Sequence, residues 1–198
     1  MRIFKADKMT EFKSKLYKIF GAQKINLNSC IYLDDGDEHL TAYMKKYKPK
    51  VILEIGTFNG VSSALMSQYA KKIYTMDILD RPIRNRIYKA LNINNVDFKL
   101  VENNEDKKKY IKELFEKENI DFVFIDGNHW GEEVAIDFYA TEQCKKILFH
   151  DYSPAFPGVY DFVNGRQGWT RDIRGTFCLL KKGEGNARRG AKQRKNRI

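Results

Sequence analysis

The sequence predicts a three-layer α/β domain in which helices cover both faces of a mostly parallel sheet. From Lys50 onward, short apolar runs alternate about five times with segments of helical periodicity. The apolar runs are continuous, which is typical of parallel strands that are buried on both faces. Neither an internal repeat nor a Pro/Gly/Ser-rich linker divides the 198 residues, so one domain accounts for most of the chain.

Two helices are predicted before the sheet. Apolar residues at helical spacing within residues 1–20 indicate an amphipathic N-terminal helix. Asp37 is suited to cap a second helix that runs to about Tyr47, and Pro49 ends this helix. Together they form a predicted helical extension over residues 1–47.

The sheet and its helices are predicted over residues 48–182. Five strands are predicted at VILEIG, KIYTMDIL, VDFKLVE, IDFVFIDG and KKILFHDY, and a last strand at GTFCLLKK. The intervening helices are predicted at VSSALMSQYAKK, PIRNRIYKALN, EDKKKYIKELFEKEN and EEVAIDFYATEQC, with a further short helix at PGVYDFVNG. Strands that alternate with helices in this way predict a Rossmann-like fold, and the sheet is expected to be mostly parallel and seven-stranded.

The positive charge is concentrated at the carboxyl end. The chain has 36 Lys and Arg against 26 Asp and Glu, a net charge of +10. The last 18 residues hold eight basic residues and one acidic residue, which accounts for seven of these ten charges. The basic composition therefore does not make the folded body a nucleic-acid binder. Residues 183–198 are predicted to form a flexible basic tail, whose contact with nucleic acid would be nonspecific.

Removing this tail is expected to leave the fold intact. Only Ala187, Ala191 and Ile198 are apolar in residues 183–198, so ordering the tail would bury little area to offset its entropy. A chain that ends at Lys182 should melt within a few degrees of the full chain. A large fall in melting temperature would show instead that the tail packs on the body.

The sequence indicates a cytoplasmic protein without a membrane-spanning segment. No window approaches eighteen uninterrupted apolar residues, and MRIFKADKMTEFKSK lacks the apolar centre of a signal peptide. The three cysteines form no CxxC pair, which argues against a disulfide framework and against a thiolate metal site. Cys30, Cys144 and Cys178 are expected to be buried or half-buried free thiols.

Polar and ionisable residues follow all five predicted parallel strands. They are Glu54–Gly56, Asp77, Glu102–Asn104, Asp126–His129 and His150–Tyr152. Ligands of an open α/β sheet bind at the carboxyl ends of the strands, near the point where strand order reverses. Polar residues at all five ends therefore favour a ligand site over isolated caps and turns.

The turn after the first strand, EIGTFNG, contains glycine twice. Gly56 permits a tight turn, and Gly60 lets the backbone approach a ligand at the start of a helix. Phe58 and Asn59 interrupt the GxGxxG pattern, which disfavours a dinucleotide. Asp77 ends the next strand at a spacing that suits a carboxylate bound to the two hydroxyls of a ribose. Together these features indicate a nucleoside-bearing cofactor.

These segments resemble the class I S-adenosylmethionine (SAM)-dependent methyltransferases. The resemblance rests on VILEIGTFNGVSSALM, YTMDI, FVFIDGNHWGEEVAIDF and ILFHDY, in that order, and covers roughly residues 38–182. It is closest to the small-molecule O-methyltransferases of the catechol O-methyltransferase-like and macrocin O-methyltransferase-like groups. It implies SAM as the cofactor and methyl transfer to a hydroxyl of a sugar, phenol or other metabolite.

The resemblance also implies a cofactor site at the strand ends. The expected cofactor-binding residues are Glu54, Gly56, Thr57, Phe58, Asn59, Gly60, Ser62, Asp77, Asn103 and Asp126. Ser62 would lie near the methionine moiety, and Asp77 would hold the ribose. Asn103 or Asn104 would lie near the adenine.

Methyl transfer from a sulfonium is a displacement, so the protein has to align and activate the acceptor oxygen. His129, His150 and Asp126 are the predicted catalytic residues, with either histidine as the base. In a second route, Asp126, His150 and Asp151 bind a divalent ion such as Mg²⁺ or Mn²⁺, which lowers the pKa of the hydroxyl. The sequence leaves both routes open, and it places His39 at the surface.

The sequence leaves two alternative functions open. One is a nicotinamide-dependent Rossmann enzyme, and the other is a nucleic-acid-associated module or RNA methyltransferase that uses the basic tail. After the fourth strand the chain reads DGNH, without the Pro-Pro-aromatic run of amino-methylating nucleic-acid enzymes. After the fifth strand it has no lysine of the kind that ribose-methylating RNA enzymes use. The expected partner is therefore a small methyl acceptor, and homo-oligomerisation is left open.

Overall fold

The computed structural model describes residues 8–23 and 36–183. Within these ranges the chain forms seven helices and seven strands. In chain order they are α1 (Lys8–Gln23), α2 (Gly36–Tyr47), β1 (Val51–Ile55), α3 (Val61–Met66), β2 (Lys72–Asp77), α4 (Pro82–Ala90), β3 (Val96–Leu100), α5 (Asn104–Lys117), β4 (Phe122–Ile125), α6 (Gly131–Thr141), β5 (Lys146–Phe149), α7 (Pro157–Asn164), β6 (Trp169–Arg174) and β7 (Phe177–Lys182). The predicted α/β class is confirmed.

The strands form one seven-stranded sheet in the order β3-β2-β1-β4-β5-β7-β6. β1 to β5 are parallel, whereas β7 is antiparallel to both β5 and β6. The chain adds strands on one side of β1 and then on the other, so strand order reverses between β1 and β4. Residues that follow these two strands therefore flank the crevice in which open α/β sheets bind ligands.

Both faces of the sheet are buried beneath helices. Consecutive residues of one strand, such as Ile52 and Leu53 of β1, belong to core clusters on opposite faces. Helices α1 to α4 contribute to the first cluster, and α5 to α7 contribute to the second. All four residues of β4 are buried, which explains why its sequence is continuously apolar.

The two N-terminal helices pack on this body. Phe12 and Leu16 of α1 are buried in the same cluster as Tyr43 of α2. The hydroxyl of Tyr43 donates to the backbone carbonyl of Asp172 at 2.7 Å, and the hydroxyl of Tyr47 donates to the Asp172 carboxylate at 2.6 Å. α2 is thereby attached to β6 at the edge of the sheet.

β6 is the strand that the apolar pattern does not indicate. Its sequence, WTRDIR, contains only two apolar residues, Trp169 and Ile173. The strand lies at the edge of the sheet, where a largely polar sequence is tolerated. Antiparallel pairing with β7 holds it along its whole length. The Arg171 guanidinium also donates to the carbonyls of Val163 and Asn164 at the end of α7, at 2.8 and 2.7 Å. Tertiary contacts therefore determine this strand.

Some of the predictions concern residues outside the described ranges. Cys144 and Cys178 are buried free thiols, as predicted, whereas Cys30 lies outside those ranges. The start of the N-terminal helix and residues 184–198 of the basic tail also lie outside them. None of the helices in the described part of the chain combines the length and the apolar character needed to cross a bilayer.

Candidate active site

The turn between β1 and α3, called here the glycine turn (residues 56–60), is shaped by two glycines. Gly56 and Gly60 both have left-handed backbone angles, with φ of 93° and 77°. A Cβ at Gly56 would also lie 2.1 Å from the carbonyl oxygen of Asp126. Glycine is therefore required at this position by backbone conformation and by close approach. The turn lies directly against the chain that follows β4.

Glu54 supports the glycine turn from below and is fully buried. Its carboxyl group accepts hydrogen bonds from the hydroxyls of Ser62 on α3 and Thr75 on β2. The hydroxyls of Thr75 and Thr57 share a further hydrogen bond. Burial raises the pKa of Glu54 to about 8, because the ionised form loses its hydration. At neutral pH Glu54 is therefore largely a neutral acid within a network of hydroxyls.

Asp77 fastens the glycine turn to the end of β2. One carboxylate oxygen accepts the backbone N–H groups of Thr57 and Phe58, at 3.0 and 2.7 Å. The other oxygen accepts the N–H of Leu79 at 3.0 Å. An ionised carboxylate offers about four acceptor positions, so Asp77 retains capacity for a further donor such as a ligand hydroxyl.

Exposed apolar side chains follow the same strand ends. The exposed fraction is 37% for Phe58, 68% for Ile78, 51% for Leu79 and 77% for Trp130. The guanidinium of Arg81 lies 4.3 Å from the centre of the Phe58 ring. Large apolar side chains left in water near convergent polar groups are typical of a ligand site.

The two asparagines after β3 are both engaged in hydrogen bonds. The side chain of Asn103 caps α5 by accepting the N–H groups of Glu105 and Asp106. The amide of Asn104 donates to Glu133 on α6 at 3.0 Å. Both residues lie at the expected strand end, and their role toward an adenine stays a prediction.

Two carboxylates and two imidazoles form a hydrogen-bonded series at the ends of β4 and β5. We call Asp126, His150, Asp151 and His129 the acid–imidazole chain. Nδ1 of His150 lies 3.0 Å from Oδ1 of Asp126 and 3.1 Å from Oδ2 of Asp151. Nε2 of His129 lies 2.7 Å from the same Oδ2 of Asp151. The fold thus brings the three predicted catalytic residues together with Asp151.

Asp151 leaves β5 with a left-handed backbone, at φ 53°. This conformation is uncommon outside glycine, and aspartate and asparagine tolerate it best among residues with a side chain. The next residue, Tyr152, donates its N–H to the Thr176 carbonyl at 2.8 Å. The turn that presents the Asp151 carboxylate is therefore anchored to the connection between β6 and β7.

The carboxylates change the protonation of both imidazoles. Burial lowers the pKa of His150, but attraction and hydrogen bonding to Asp126 and Asp151 outweigh it and raise the pKa to about 10. The hydrogen bond to Asp151 likewise raises the pKa of His129 above its ordinary value. Burial raises the pKa of Asp151, but hydrogen bonds from both histidines outweigh it and hold this pKa well below the usual range. His150 is therefore an imidazolium at neutral pH.

The two histidines differ in their access to solvent. The exposed fraction of the side chain is 42% for His129 and 15% for His150. The His150 ring packs against Phe177, with 4.6 Å between ring centroids. His129 is therefore the imidazole that an incoming molecule can reach. His39 is half-buried rather than at the surface, edge-on to Phe177 at 6.4 Å between centroids.

The acid–imidazole chain also offers donors for a divalent cation. One ligand atom each from Asp126, His129 and Asp151 lies within 4.8 Å of the others. Two carboxylates and one imidazole are acceptable ligands for Mn²⁺ or Fe²⁺, so these residues fit a cation. The sequence assigns His150 to this set, together with Asp126 and Asp151. In the structure its Nδ1 lies between the two carboxylates, and the metal assignment stays a prediction.

Three residues that shape the site were not identified from the sequence. Thr75 is a polar residue within an apolar strand, and it pairs in register with Glu54. Its contact with Glu54 can be predicted only when the pairing of β1 with β2 is known. Phe156 and Gly158, at the start of α7, contact His129 across the fold. Their local sequence carries no signal of that contact.

A protein family described as a methyltransferase domain matches residues 53–152, about half of the chain. The match begins within β1 and ends just after β5. It therefore contains the whole glycine turn, Asp77 and the whole acid–imidazole chain.

Individual relatives agree with this family. Mouse catechol O-methyltransferase is 25% identical over 140 residues, which cover 63% of this chain and 49% of that protein. The chain thus spans about half the length of this curated relative.

Solved structures share the fold at lower identity. An O-methyltransferase from Bacillus cereus in complex with SAH has a TM-score of 0.65 and 14% identity, covering 91% of this chain and 93% of the other. The O-methyltransferase TomG from Streptomyces achromogenes, involved in tomaymycin synthesis and solved in complex with SAM, has a TM-score of 0.63 and 18% identity, covering 90% and 92%.

The family match and the site geometry concern the same residues. The matched range holds the strand ends on both sides of the switch point between β1 and β4, where the fold places its candidate ligand site. The nicotinamide-dependent alternative receives no support from these relatives. The chain belongs to the methyltransferase domain family.

Proposed function

We propose that the chain is a SAM-dependent O-methyltransferase that acts on a hydroxyl of a small molecule. The observation that carries this proposal is the contact between two strand ends at the switch point of the sheet. The N–H of Asp126 donates to the carbonyl of Ile55 at 2.8 Å, so the acid–imidazole chain begins directly beside the glycine turn. A cofactor in the turn and an acceptor at His129 would meet across this contact.

The glycine turn is proposed as the cofactor half of the site. Gly56 and Gly60 give the turn its left-handed backbone and let it pack closely on its neighbours, and the free acceptor position of Asp77 suits a ribose hydroxyl. The exposed side chains of Ile78 and Leu79 offer apolar contact to an adenine. The SAH and SAM bound to the two solved relatives support this assignment.

When bound, SAM would supply an electrophilic methyl group: the acceptor oxygen would bond to the methyl carbon as the carbon–sulfur bond breaks, and the sulfur would leave as the thioether of SAH. His129 is proposed as the base that takes the proton of the acceptor hydroxyl. Its Nε2–H donates to Asp151, which leaves Nδ1 free to accept the proton. Asp151 orients the ring and stabilises the imidazolium that forms. The neighbouring Trp130 and Phe156 offer aromatic faces to a sugar or phenol ring.

His150 is proposed to hold the two carboxylates in place. Its protonated Nδ1–H donates to both Asp126 and Asp151, so neither carboxylate is left unpaired in a partly buried site. Asp126 remains at the switch point, where it faces both halves of the site. This division of roles gives the two histidines different functions.

The cation route stays a second proposal for the same residues. Asp126 and Asp151, with His150 or His129, would hold a divalent ion that lowers the pKa of the acceptor hydroxyl. Excess chelator separates the routes once an acceptor is in hand. Full activity in chelator, with Asp126→Asn still impaired, would exclude the cation and keep the base. Loss of activity that Mn²⁺ restores would support the cation.

Calorimetric titration with SAM, with and without Mn²⁺, tests the proposed function. We expect saturable binding of SAM and of SAH. A screen of hydroxylated sugars and phenols for SAH release then identifies the acceptor class. Absence of binding to both SAM and SAH would overturn the proposal. A cytoplasmic location stays an expectation from the sequence.

Replacing Asp77 by alanine is expected to lower the affinity for SAM at least about tenfold, since each charge-assisted hydrogen bond contributes about 1.5–3 kcal/mol. The variant also removes the acceptor of the Thr57 and Phe58 N–H groups, so the glycine turn loses two of its hydrogen bonds to the end of β2. Calorimetry measures the effect, and thermal melting checks that the fold persists. Asp161→Ala, at an exposed aspartate of α7 away from the glycine turn, serves as the matched control. Unchanged affinity in Asp77→Ala would mean that the ribose assignment is wrong.

A further inference from the structure

The first turn of α7 packs directly on the backbone of the loop that carries His129. A Cβ at Gly158 would lie 2.1 Å from the carbonyl oxygen of His129, 2.6 Å from the N of Gly131 and 3.1 Å from the carbonyl carbon of Trp130. All three are backbone atoms, which cannot yield as the end of a flexible side chain can. The backbone of Gly158 does not have a positive φ, so its conformation would accept any residue. The close contact with the loop backbone is therefore what requires a glycine here.

The same turn of α7 also touches the His129 ring. The ring of Phe156 lies 4.8 Å from that of His129, at an interplanar angle of 58°. One ring nitrogen of His129, Nε2, lies 2.7 Å from Oδ2 of Asp151. The residue is thus held at its carbonyl by Gly158, at its ring by Phe156 and at its nitrogen by Asp151.

The other end of this loop is confined in the same way. A Cβ at Gly56 would lie 2.1 Å from the carbonyl oxygen of Asp126 and 2.8 Å from the N of Gly127. Residues 126–131 therefore run between two glycines, one in the glycine turn and one in α7. His129 lies next to the α7 end of this loop, so its position depends on how closely α7 approaches.

We propose that Gly158 is a positioning residue, which sets the placement of His129 on Asp151 by allowing α7 to approach the loop backbone. This inference rests on the proposed function of His129 as the base. Its effect should therefore fall on turnover and on the surroundings of the His129 ring. Cofactor binding should be unaffected, because the glycine turn and Asp77 lie on the other side of the switch point.

Gly158→Ala tests this proposal in the full chain, with Gly131→Ala as the matched control. The control adds the same methyl group from the opposite side of the contact, where its nearest neighbours are 3.8 Å away. For Gly158→Ala we expect an unchanged affinity for SAH and a fall in kcat of about a hundredfold, as a small misplacement of a catalytic group can cause. Gly131→Ala should keep both quantities.

The chain has three histidines, so their imidazole ¹H–¹³C resonances can be assigned by single substitutions. In Gly158→Ala the His129 resonance should move, while that of His39, which lies outside the acid–imidazole chain, should stay.

The outcomes distinguish a failure of the proposed function from a failure of the positioning role. If the wild-type chain fails to bind SAH, the proposed function is wrong. If it binds SAH but the His129 resonance and kcat are unchanged in Gly158→Ala, the positioning role is wrong. An equal fall of kcat in Gly131→Ala would likewise overturn a specific role for Gly158.

Should Gly158→Ala fail to fold, Phe156→Leu removes the ring contact without adding a methyl group against the backbone. It should then lower kcat severalfold at unchanged SAH affinity and unchanged KM for the acceptor. An unchanged kcat, or a rise in the KM for the acceptor alone, would overturn the proposal.

Discussion

Replacement of His129 by glutamine is expected to lower kcat by about 10²–10⁴-fold, the usual contribution of a general base. Glutamine keeps a polar side chain of similar reach but cannot accept the proton of the acceptor hydroxyl. The affinity for SAM should stay unchanged, because His129 lies on the proposed acceptor side of the site. Steady-state release of SAH and calorimetric titration measure the two quantities.

The pH dependence of the same reaction gives an independent check. Asp151 raises the pKa of His129, and the base must be neutral to act. In the wild type, kcat/KM should therefore rise with pH through a value above the ordinary histidine pKa. Asp151→Asn removes the charge and should move this rise to lower pH, with a lower plateau.

His39→Gln is the matched control for the histidine substitution, because His39 lies outside the acid–imidazole chain. It should retain the wild-type kcat. A wild-type kcat in His129→Gln, together with a large loss in His150→Gln, would instead assign the base to His150. These two results would reverse the roles proposed for the histidines.

Replacement of Glu54 by glutamine is expected to make the protein more stable above neutral pH. The pKa of Glu54 is raised to about 8 in the folded chain, against an ordinary value near 4.5. Folding therefore takes up a proton between these values. The stability associated with the neutral acid is complete below pH 4.5 and is lost as pH rises through 8. Glutamine does not titrate, so the variant escapes this loss.

The gain at pH 8.5 should be about 4 kcal/mol, from about 1.4 kcal/mol for each unit of pKa shift less about 1 kcal/mol for one weakened hydrogen bond. Urea unfolding at pH 5 and at pH 8.5 measures it, and the difference between the chains should be small at pH 5. Glu116→Gln, at an exposed residue of α5, should match the wild type at both values. A variant that is less stable by the same amount at both pH values would show that Glu54 is ionised when folded.

The sequence is sufficient to predict most of the fold because the strands are buried on both faces. Continuous apolar runs such as the one in β4 are too short for buried helices, so they indicate strands of a covered parallel sheet. β6 escapes the same reasoning, since an edge strand with one neighbour can be largely polar. This strand depends on its pairing with β7 and on the hydrogen bonds of Arg171 to the end of α7. The local apolar pattern does not encode these contacts.

The position of the candidate site is predictable for a topological reason, whereas the roles within it are not. Parallel strands end at one edge of the sheet, so residues after β1, β2, β4 and β5 must gather there. Which histidine is accessible depends on the packing of His150 against Phe177 and of His129 against α7. These contacts join elements that are far apart in sequence. The requirement for Gly158 is hidden for the same reason.

The left-handed backbone at Asp151 limits how this site can diverge among related chains. Glycine adopts that conformation without strain, and asparagine and aspartate are the side chains that tolerate it best. Aspartate alone among these three brings a negative charge to the histidines. One substitution to asparagine would therefore remove the orienting charge and preserve the turn. A descendant of that kind would still bind its cofactor, but its His129 would be a weaker base, so natural variation at this position should separate faster from slower methyltransferases.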